Sequence, residues 1–427
     1  MKLLLLGGGG REHALIWKLA NEPEVKEVVC VPGNAGIARF ARCIQGDLSS
    51  PEELLELARV ERVDLTVVGP ELPLSAGIAD LFTSEGQLLL GPTRLAAELE
   101  SSKAFAKEFM TRHRIPTASY KICRDMESAQ AVLTRGEFEY PIVIKADGLA
   151  AGKGVVVAQD RVTADQAIRA AMHGHRFGTA GSTLVLEEHL VGEEVSFFVL
   201  CDGRRSMPLP SAQDYKRIFD NDRGPNTGGM GAFAPSPRVT PQVASEVMDR
   251  IVEPVISGLR DEEREFRGFL YVGLMLTTDG PKVIEFNVRL GDPEAQVILP
   301  ILEGDLTPLL TAAARGSLES SVNHLSEKAT VGVVLASAGY PGKYQNGKVI
   351  NGLEQAVQMP GVFVFHAGTA KQDNRIITSG GRVLTVVGMG RDYEEAINKA
   401  YAAADVISFD GKYIRGDIGK KALDFQL

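Results

Sequence analysis

The stretch from residue 282 to 294 carries the clearest chemical signal in the chain. Side chains of a β-strand alternate between two faces, and one face here is polar because it carries Glu285, Asn287 and Arg289. The opposite face is apolar throughout and comprises Ile284, Phe286, Val288 and Leu290. Carboxylate and amide oxygens bind Mg²⁺ at about 2.1 Å, often beside substrate phosphates, and a guanidinium binds phosphate or carboxylate.

Two interpretations fit this alternation. The first is an amphipathic edge strand whose polar face is solvated. The second is a metal and nucleotide site, in which Glu285 and Asn287 bind the metal. The turn over 291–294 favours the second, because it bends the chain and returns Asp292 and Glu294 to the polar face.

A glycine-rich loop over 147–154 separates two predicted strands, 141–145 and 155–158. The loop is not a Walker loop, because no hydroxyl residue and no helix follow its lysine. We expect it to close over nucleotide phosphates, with Lys145 and Lys153 supplying positive charge. The alternative is an exposed hairpin loop.

An acidic run follows the next predicted strand, 183–187. We expect the segment from Glu187 to Leu190 to bind adenine through its backbone amides, and Glu194 to reach the ribose hydroxyls. Such a run, taken alone, is more typical of a solvated loop. Its position between the glycine loop and the predicted metal-binding strand with Glu285 favours nucleotide binding.

The N-terminal glycines, residues 7–10, suggest a dinucleotide-binding loop at first sight. The pattern fails because His13 stands where a third glycine is required, and residues 31–34 offer no acid for a ribose. A phosphate bound at the N-terminus of the predicted helix 12–20 remains plausible, since free amides and the helix dipole favour an anion there.

Composition bounds the class of protein. The hydrophobic fraction is 44% and the charged fraction 24%, which is typical of a globular enzyme. The net charge of −9 argues against a nucleic-acid partner. The four cysteines are scattered, and the apolar run 3–6 is too short to span a membrane. We expect a cytoplasmic, soluble monomer without a membrane partner.

The hydrophobic pattern predicts a multidomain protein of α/β and α+β class. Residues 1–101 alternate buried strands (3–6, 28–31, 65–68, 88–90) with helices (12–20, 51–59, 75–84), which predicts a doubly wound parallel-sheet domain. Residues 102–122 form a linking helix and strand. A small α+β module follows over 123–192 and a larger antiparallel module over 193–327, with a hairpin of strands 269–277 and 282–290. A small C-terminal α/β domain covers 328–427.

Together these motifs resemble the ATP-grasp superfamily and, within it, the phosphoribosylamine–glycine ligase family. The segments that carry the resemblance are 7–13, 69–71, 91–93, 102–103, 145–154, 213–217, 224–231 and 289–294. The resemblance covers essentially the whole chain. It implies an ATP-grasp fold flanked by the two α/β domains. Leu290 and Tyr215 depart mildly from the family pattern, where phenylalanine and histidine are usual.

The resemblance implies an ADP-forming ligase of purine biosynthesis that joins phosphoribosylamine to glycine with ATP and Mg²⁺ or Mn²⁺, through glycyl phosphate. Lys103, Lys145 and Lys153 would bind the ATP phosphates, and Arg289, Asp292 and Lys145 would act in catalysis. The residues expected around glycine and phosphoribosylamine are Asp214, Lys216, Arg217, Asn226, Thr227, Gly228, Gly229, Arg289 and Asp292. Gly8, Gly9 and Gly10 would bind the sugar phosphate.

Three other functions remain open from the sequence. The nearest is another ATP-grasp carboxylate–amine ligase or a carboxylase, which glycine-dependent ADP release would distinguish. A nucleotide sensor without catalysis would bind ATP but would not need Glu285, Arg289 and Asp292 together. A dehydrogenase should bind NAD.

Overall fold

The N-terminal region is built on a parallel sheet. The computed structural model describes residues 1–148, 154–172, 182–319 and 326–424. The first elements are β1 (Lys2–Gly7), α1 (Gly10–Leu19), β2 (Glu27–Pro32), β3 (Arg42–Cys43), α2 (Pro51–Glu61), β4 (Leu65–Val68), α3 (Glu71–Ser75), α4 (Ile78–Ser84) and β5 (Leu89–Leu90). The five strands pair in parallel in the order β3-β2-β1-β4-β5. This confirms the predicted doubly wound sheet.

The helix predicted over 75–84 was wrong in its extent. The structure has two short helices, α3 and α4, and Gly77 between them adopts a φ of 88°. That left-handed conformation ends one helix and caps the next, and glycine adopts it without steric cost.

The next region links the sheet to a small antiparallel module. Its elements are α5 (Glu98–Ser101), α6 (Lys103–Arg112), β6 (Tyr120–Cys123), α7 (Met126–Arg135), β7 (Ile142–Ala146), β8 (Val155–Ala158), α8 (Arg161–Met172) and β9 (Leu184–Glu188). In the described residues these strands pair in the order β6-β9-β7-β8, with α7 and α8 packed against the sheet through Ala129, Val132, Ala164 and Ile168.

The following region is mainly antiparallel. Its elements are β10 (Glu193–Asp202), β11 (Ser206–Pro208), β12 (Gln213–Asp214), β13 (Arg217–Phe219), β14 (Arg223–Asn226), β15 (Gly231–Ala234), α9 (Pro241–Val247), α10 (Glu253–Asp261), β16 (Arg267–Thr277), β17 (Gly280–Asn287), α11 (Glu294–Ile298) and α12 (Thr307–Arg315). The main sheet has the order β11-β10-β16-β17, and β16 and β17 form the predicted hairpin.

The C-terminal region shares a sheet with the preceding one. Its elements are β18 (Ala329–Ser337), α13 (Leu353–Val357), β19 (Val362–His366), β20 (Thr369–Gln372), β21 (Arg375–Thr378), β22 (Arg382–Gly390), α14 (Tyr393–Val406), β23 (Lys412–Tyr413) and α15 (Lys420–Leu423). Within the described residues the sheet runs β12-β15-β18-β22-β19, with β23 beside β18. Strands on both sides of the predicted boundary at 327 and 328 therefore pair directly. The domain limits stay a prediction.

One apolar core joins the parallel sheet to the antiparallel sheet. It contains Phe82 of α4, Phe109 of α6, Phe197 of β10 and Phe286 of β17, all at most 3% exposed. Close packing of this kind resists relative movement of the elements that share it. The N-terminal glycine loop is thereby fixed with respect to the strand that carries Glu285.

Candidate functional site

The strand predicted to bind a metal is β17, and it differs from the sequence prediction in two respects. β17 ends at Asn287, so Val288, Arg289 and Leu290 lie beyond it and not on a strand of the predicted length. The pairing of Gly273 with Glu285 is followed by that of Leu274 with Val283, so Ile284 is bulged out of the ladder. The prediction that Ile284 lines the apolar face was therefore wrong. Val283 is fully buried there instead.

Small residues lie opposite Glu285. Gly273 pairs with it on β16, and Ser196 of β10 pairs with Gly273. A Cβ atom at Gly273 would stand 3.1 Å from the Cγ atom of Glu285, tighter than an ordinary contact. No side chain at position 273 therefore covers Glu285 from the paired strand.

Positive charges around Glu285 keep its carboxylate ionised. Its carboxylate makes no hydrogen bond or ion pair with any residue that the structure describes. Burial raises its pKa, but nearby cations outweigh burial and lower the pKa below the ordinary value. These cations are Lys216, Lys145, Lys103 and Arg289. The result is an ionised carboxylate with free oxygens, which fits a hard divalent ion.

Asn287 offers a second oxygen. Its Oδ1 atom accepts one hydrogen bond, from Nη2 of Arg289 at 3.0 Å, and an amide oxygen has two lone pairs. Among the described residues there is no cluster of three or more His, Cys, Asp or Glu side chains arranged for a metal. Glu285 and Asn287 therefore fit a cation that takes its other ligands from phosphates and water.

Arg289 is held by two acids that the site prediction omitted. Its Nη2 atom donates to Oε1 of Glu100 at 2.7 Å, and its Nε atom to Oε2 of Glu71 at 3.4 Å. Glu100 also accepts from the backbone amide of Val288 at 2.8 Å. Glu71 belongs to the 69–71 motif and was recognisable, whereas no local pattern marked Glu100.

Lys145 and Glu187 form a buried ion pair with a third residue, Lys107. The Oε2 atom of Glu187 lies 3.0 Å from Nζ of Lys145 and 3.1 Å from Nζ of Lys107, and all three side chains are at most 6% exposed. Lys145 also donates to the carbonyl of Ile284 at 3.0 Å, which the bulge exposes. Burial lowers the pKa of Lys107 to about 8. Lys107 could have been found, since it follows Lys103 by one helical turn.

Lys103 lies at the start of α6, next to the glycine loop. Its ammonium donates to the carbonyl of Gly148 at 2.9 Å, and burial lowers its pKa. Asp147 accepts hydrogen bonds from Ser102 Oγ at 3.2 Å and the Ala104 amide at 3.1 Å, which fixes one end of the loop to the helix. Residues 149–153, with Lys153, lie outside the described residues, and the part predicted for Lys153 stays a prediction.

The predicted adenine segment follows β9. The amide of Glu188 is used by the carbonyl of Ser119 at 3.0 Å. The amides of His189 and Leu190 donate to none of the described residues, and Leu190 is half-buried. The second carboxylate oxygen of Glu187, Oε1, is buried without a described partner. Within the described residues, this segment therefore leaves two backbone amide donors and one carboxylate acceptor available to an adenine base.

A second group of charged residues surrounds Asp214. Glu194, expected at the ribose, forms an ion pair with Lys216. Burial raises the pKa of Asp214 to about 8, against the opposing effect of Lys216. Burial also raises the pKa of Glu294, which accepts a hydrogen bond from Ser196 Oγ at 3.4 Å. This group can therefore hold a proton near neutral pH.

Asp292 lies where the N-terminal loop meets the metal strand. Its Oδ2 atom accepts from the amide of Arg11 at 3.2 Å and its Oδ1 atom from Nε2 of Gln296 at 2.8 Å. A Cβ atom at Gly9 or Gly10 would stand 3.4 Å from Oδ2. The structure thus places the predicted glycine loop directly against the predicted catalytic aspartate.

The loop over 226–229 lies on the other side of the same turn. Gly229 has a φ of 110°, and a Cβ atom there would stand 2.5 Å from Cδ of Pro293. Thr227 fixes the loop to Lys216, donating from its amide at 2.7 Å and its hydroxyl at 2.9 Å to that carbonyl. Glycine is required at 229 because both the backbone angle and the contact exclude a side chain.

Arg217 makes its contact outside the site around Glu285 and Asp292. Its Nη1 atom donates to the carbonyl of Gly224 at 2.7 Å, within the hairpin of β13 and β14. It borders an apolar cleft between β8 and the C-terminal region, with Phe219, Tyr340 and Tyr413. Its predicted contact with substrate stays a prediction.

Most predicted residues therefore converge on one site. Glu285, Asn287 and Arg289 form its centre, and the segments around Lys145, Glu187, Asp214, Asp292 and the glycine loop surround it. The residues that sequence analysis did not assign to it are Arg11, Glu71, Glu100, Lys107, Gln296 and Arg382.

Family models match nearly the whole chain. They are described as the N domain of phosphoribosylglycinamide synthetase (residues 1–100), its ATP-grasp (A) domain (101–295) and its C domain (330–421). The chain is 49% identical over 426 residues to the phosphoribosylamine–glycine ligase of Pseudomonas aeruginosa, covering 99% of this chain and 98% of the relative. The ligase of Escherichia coli O6:H1 is 48% identical over 429 residues, covering 99% of both chains.

Solved structures agree in fold. The crystal structure of phosphoribosylamine–glycine ligase from Thermotoga maritima matches with a TM-score of 0.87 and 33% identity, covering 98% of this chain and 100% of that one. A biotin carboxylase domain from Hydrogenobacter thermophilus matches with a TM-score of 0.73 at 18% identity, covering 97% and 91%. The second match shows the fold alone.

The fold and the site define an ATP-grasp ligase. Within that class, the chain belongs to the phosphoribosylglycinamide synthetase family, whose members compared above are phosphoribosylamine–glycine ligases.

Proposed function

We propose that this protein joins 5-phosphoribosylamine to glycine with ATP, releasing glycinamide ribonucleotide, ADP and phosphate, as a step of de novo purine biosynthesis. The observation that carries the proposal is the Glu285 carboxylate, ionised among four cations yet without a direct partner in the described residues. It lies on a scaffold whose family is established over the full length.

The reaction divides amide formation into two displacements. A carboxylate oxygen of glycine attacks the γ-phosphorus of ATP, the bond to ADP breaks, and glycyl phosphate forms. The amine of phosphoribosylamine then attacks the acyl carbon, loses a proton and displaces phosphate. The protein forms no covalent bond with the substrates, so the rate enhancement comes from positioning and from neutralisation of charge.

Residue roles follow from position. Lys103 and Lys145 neutralise the ATP phosphates, the segment from Glu187 to Leu190 holds adenine, and Glu194 binds the ribose. Glu285 and Asn287 would hold Mg²⁺ or Mn²⁺, which when bound would neutralise phosphate charge.

Two substrates share the remaining groups. Arg289 orients the glycine carboxylate for attack, while Asp292 and the glycine loop, Gly8 to Gly10, receive phosphoribosylamine and its phosphate. Asp214, with a pKa raised to about 8 by burial, can accept the proton that the amine loses. Lys216, which forms an ion pair with Glu194, opposes this rise in the pKa of Asp214, but burial outweighs it.

The partners are small molecules, and we infer a monomer in the cytoplasm without a nucleic-acid or membrane partner. Among the described residues, every helix is too short or too polar to cross a bilayer.

Isotope transfer tests the glycyl-phosphate route. Glycine labelled with ¹⁸O in its carboxylate should pass one labelled oxygen to inorganic phosphate in each turnover, because that oxygen leaves with the γ-phosphoryl group. Mass analysis of the phosphate at full product yield gives the answer. Unlabelled phosphate would falsify this route. ADP release that depends on bicarbonate and not on glycine would instead indicate a carboxylase.

A further inference from the structure

Arg382, at the start of β22 in the C-terminal region, reaches across to the site. Its Nη1 atom donates to the carbonyls of Asp292 at 2.6 Å and Gly228 at 2.5 Å. Its Nη2 atom lies 3.4 Å from Oδ1 of Asp292, and the side chain is 22% exposed. One guanidinium therefore binds both the turn that carries Asp292 and the loop over 226–229.

The peptide of Gly228 is held at both ends by the C-terminal region. Its amide donates to the hydroxyl of Tyr340 at 2.9 Å, while its carbonyl accepts from Arg382. The adjacent Gly229 packs so closely against Pro293 that a side chain at position 229 would clash with the proline ring. The loop is thus pressed against the turn, and Arg382 joins them with a planar fork that a lysine cannot reproduce.

Asp292 is oriented by these contacts. Oδ1 accepts from Gln296 and lies beside Arg382, whereas the one donor to Oδ2 in the described part of the chain is the amide of Arg11, at the glycine loop. A carboxylate oxygen has two acceptor positions, so Oδ2 retains one for a ligand at the loop. Rotation of the carboxylate would break the contacts of Oδ1.

We propose that Arg382 is a positioning residue for phosphoribosylamine: it fixes Asp292 and the 226–229 loop so that Oδ2 of Asp292 accepts a hydrogen bond from that substrate at the glycine loop. The inference rests on the proposed function. It gives the C-terminal region a part in binding one substrate, while ATP is held by α6, β7 and β9, which Arg382 does not touch.

Charge supports this role. Burial raises the pKa of Asp292, but Arg382 and Arg11, with the hydrogen bonds from Gln296 and the Arg11 amide, lower it below the ordinary value. Glu294 also faces Asp292, and its negative charge opposes ionisation. Loss of Arg382 should therefore raise the pKa of Asp292 and move the acid limb of kcat/KM for phosphoribosylamine to higher pH.

The test compares Arg382→Met and Arg382→Lys in the full chain, with Arg375→Met as a matched control. Arg375 is an exposed arginine of β21 in the same region. ADP release is measured with phosphoribosylamine generated in place, varying each substrate in turn. For Arg382→Met we expect KM for phosphoribosylamine to rise about 10- to 100-fold, the loss of a charged hydrogen bond, with KM for ATP within about threefold.

Arg382→Lys keeps the charge but loses the fork. It should leave the acid limb near its wild-type position while still raising KM for phosphoribosylamine, which a merely structural role would not produce. A melting curve and ATP binding report on folding, and Arg382→Lys replaces Arg382→Met as the deciding variant if the latter does not fold.

Three outcomes would overturn the proposal: an unchanged KM for phosphoribosylamine, equal rises in KM for every substrate, or an acid limb that does not move in Arg382→Met. A different result would overturn the proposed function. Wild-type protein that released no ADP with glycine would overturn the ligase itself, whereas active wild-type with an unaffected variant would overturn only the role of Arg382.

Discussion

Glu187 and Glu285 both lie among lysines, yet the protein treats their charges differently. Glu187 is fully buried and forms ion pairs with Lys107 and Lys145 at 3.1 and 3.0 Å. Glu285 is half-buried and has no ion pair within the described chain, although Lys145 contributes to its field. The first charge is neutralised by the protein, and the second has no direct partner among the described residues. The missing partner distinguishes the proposed metal ligand, Glu285, from the ion-paired Glu187.

Replacing Glu285 should produce the largest effect. Glu285→Gln removes the charge that would hold the metal but keeps the shape, so kcat should fall roughly 10³- to 10⁴-fold. The melting temperature should fall only modestly, because the carboxylate forms no ion pair with a described residue but lies among cations that favour its charged form. ADP release and a melting curve measured on the same sample check both. Turnover within tenfold of wild type would contradict the assignment.

Replacing Glu187 should act mainly on stability. Glu187→Gln leaves two buried ammonium groups without their anion, which should cost about 3 kcal/mol of unfolding free energy. Urea denaturation measures the loss. A variant as stable as wild type would mean that Lys107 and Lys145 find other partners or lose their protons. In that case the contrast with Glu285 would lose its physical basis.

Two buried histidines, whose neutral forms are favoured by burial, extend the comparison. His13 and His366 are 3% and 4% exposed, and Nδ1 of His13 accepts the amide proton of His366 at 2.7 Å. Burial, with Arg39, lowers the pKa of His366 to about 4, and burial also lowers that of His13. The unfolded chain, with an ordinary pKa of about 6.5, binds more protons between these values.

Stability should therefore fall as pH falls from about 6.5 to about 4, by on the order of 3 kcal/mol for His366. Below the folded pKa the loss should level off. Denaturation across this range, in wild type and in His366→Gln, separates this contribution, and His189→Gln is the control because His189 is exposed. Identical pH profiles for wild type and His366→Gln would show that His366 is not the group responsible.

The smallest effect is expected where a carboxylate is paired but exposed. Glu85 forms an ion pair with Arg59, and both side chains are more than 40% exposed. Glu85→Gln should change unfolding free energy by less than about 1 kcal/mol, because solvent screens the pair. A cost near that of Glu187→Gln in the same urea experiment would show that exposure does not separate the two kinds of pair.

Local patterns were sufficient for much of this protein. The alternation of Glu285, Asn287 and Arg289 predicted that these side chains lie close together, and the glycine motifs predicted the loops around them; the metal site stays a prediction. The parallel strands β1, β2 and β4 were predicted to within two residues at each end, because continuous apolar runs bounded by glycine and proline leave few alternatives.

Local patterns failed where a neighbouring strand decided the outcome. The bulge at Ile284 follows from the pairing of β16 with β17, and nothing in the sequence of β17 alone requires it. Glu100 and Arg382 were missed for a similar reason. Each reaches the site from an element distant in the chain, so no spacing could reveal it.

The sequence by itself determined which groups are available for chemistry, since residue type fixes charge, hydrogen-bonding capacity and strand or helix preference. Tertiary structure alone decided which of those charges remain free. Glu187 is neutralised because α6 brings Lys107 to 3.1 Å from it, whereas Gly273 opposite Glu285 offers no partner. That choice depends on distances between elements far apart in the chain, because electrostatic interaction weakens with spatial separation and with exposure to solvent, whatever the separation in sequence.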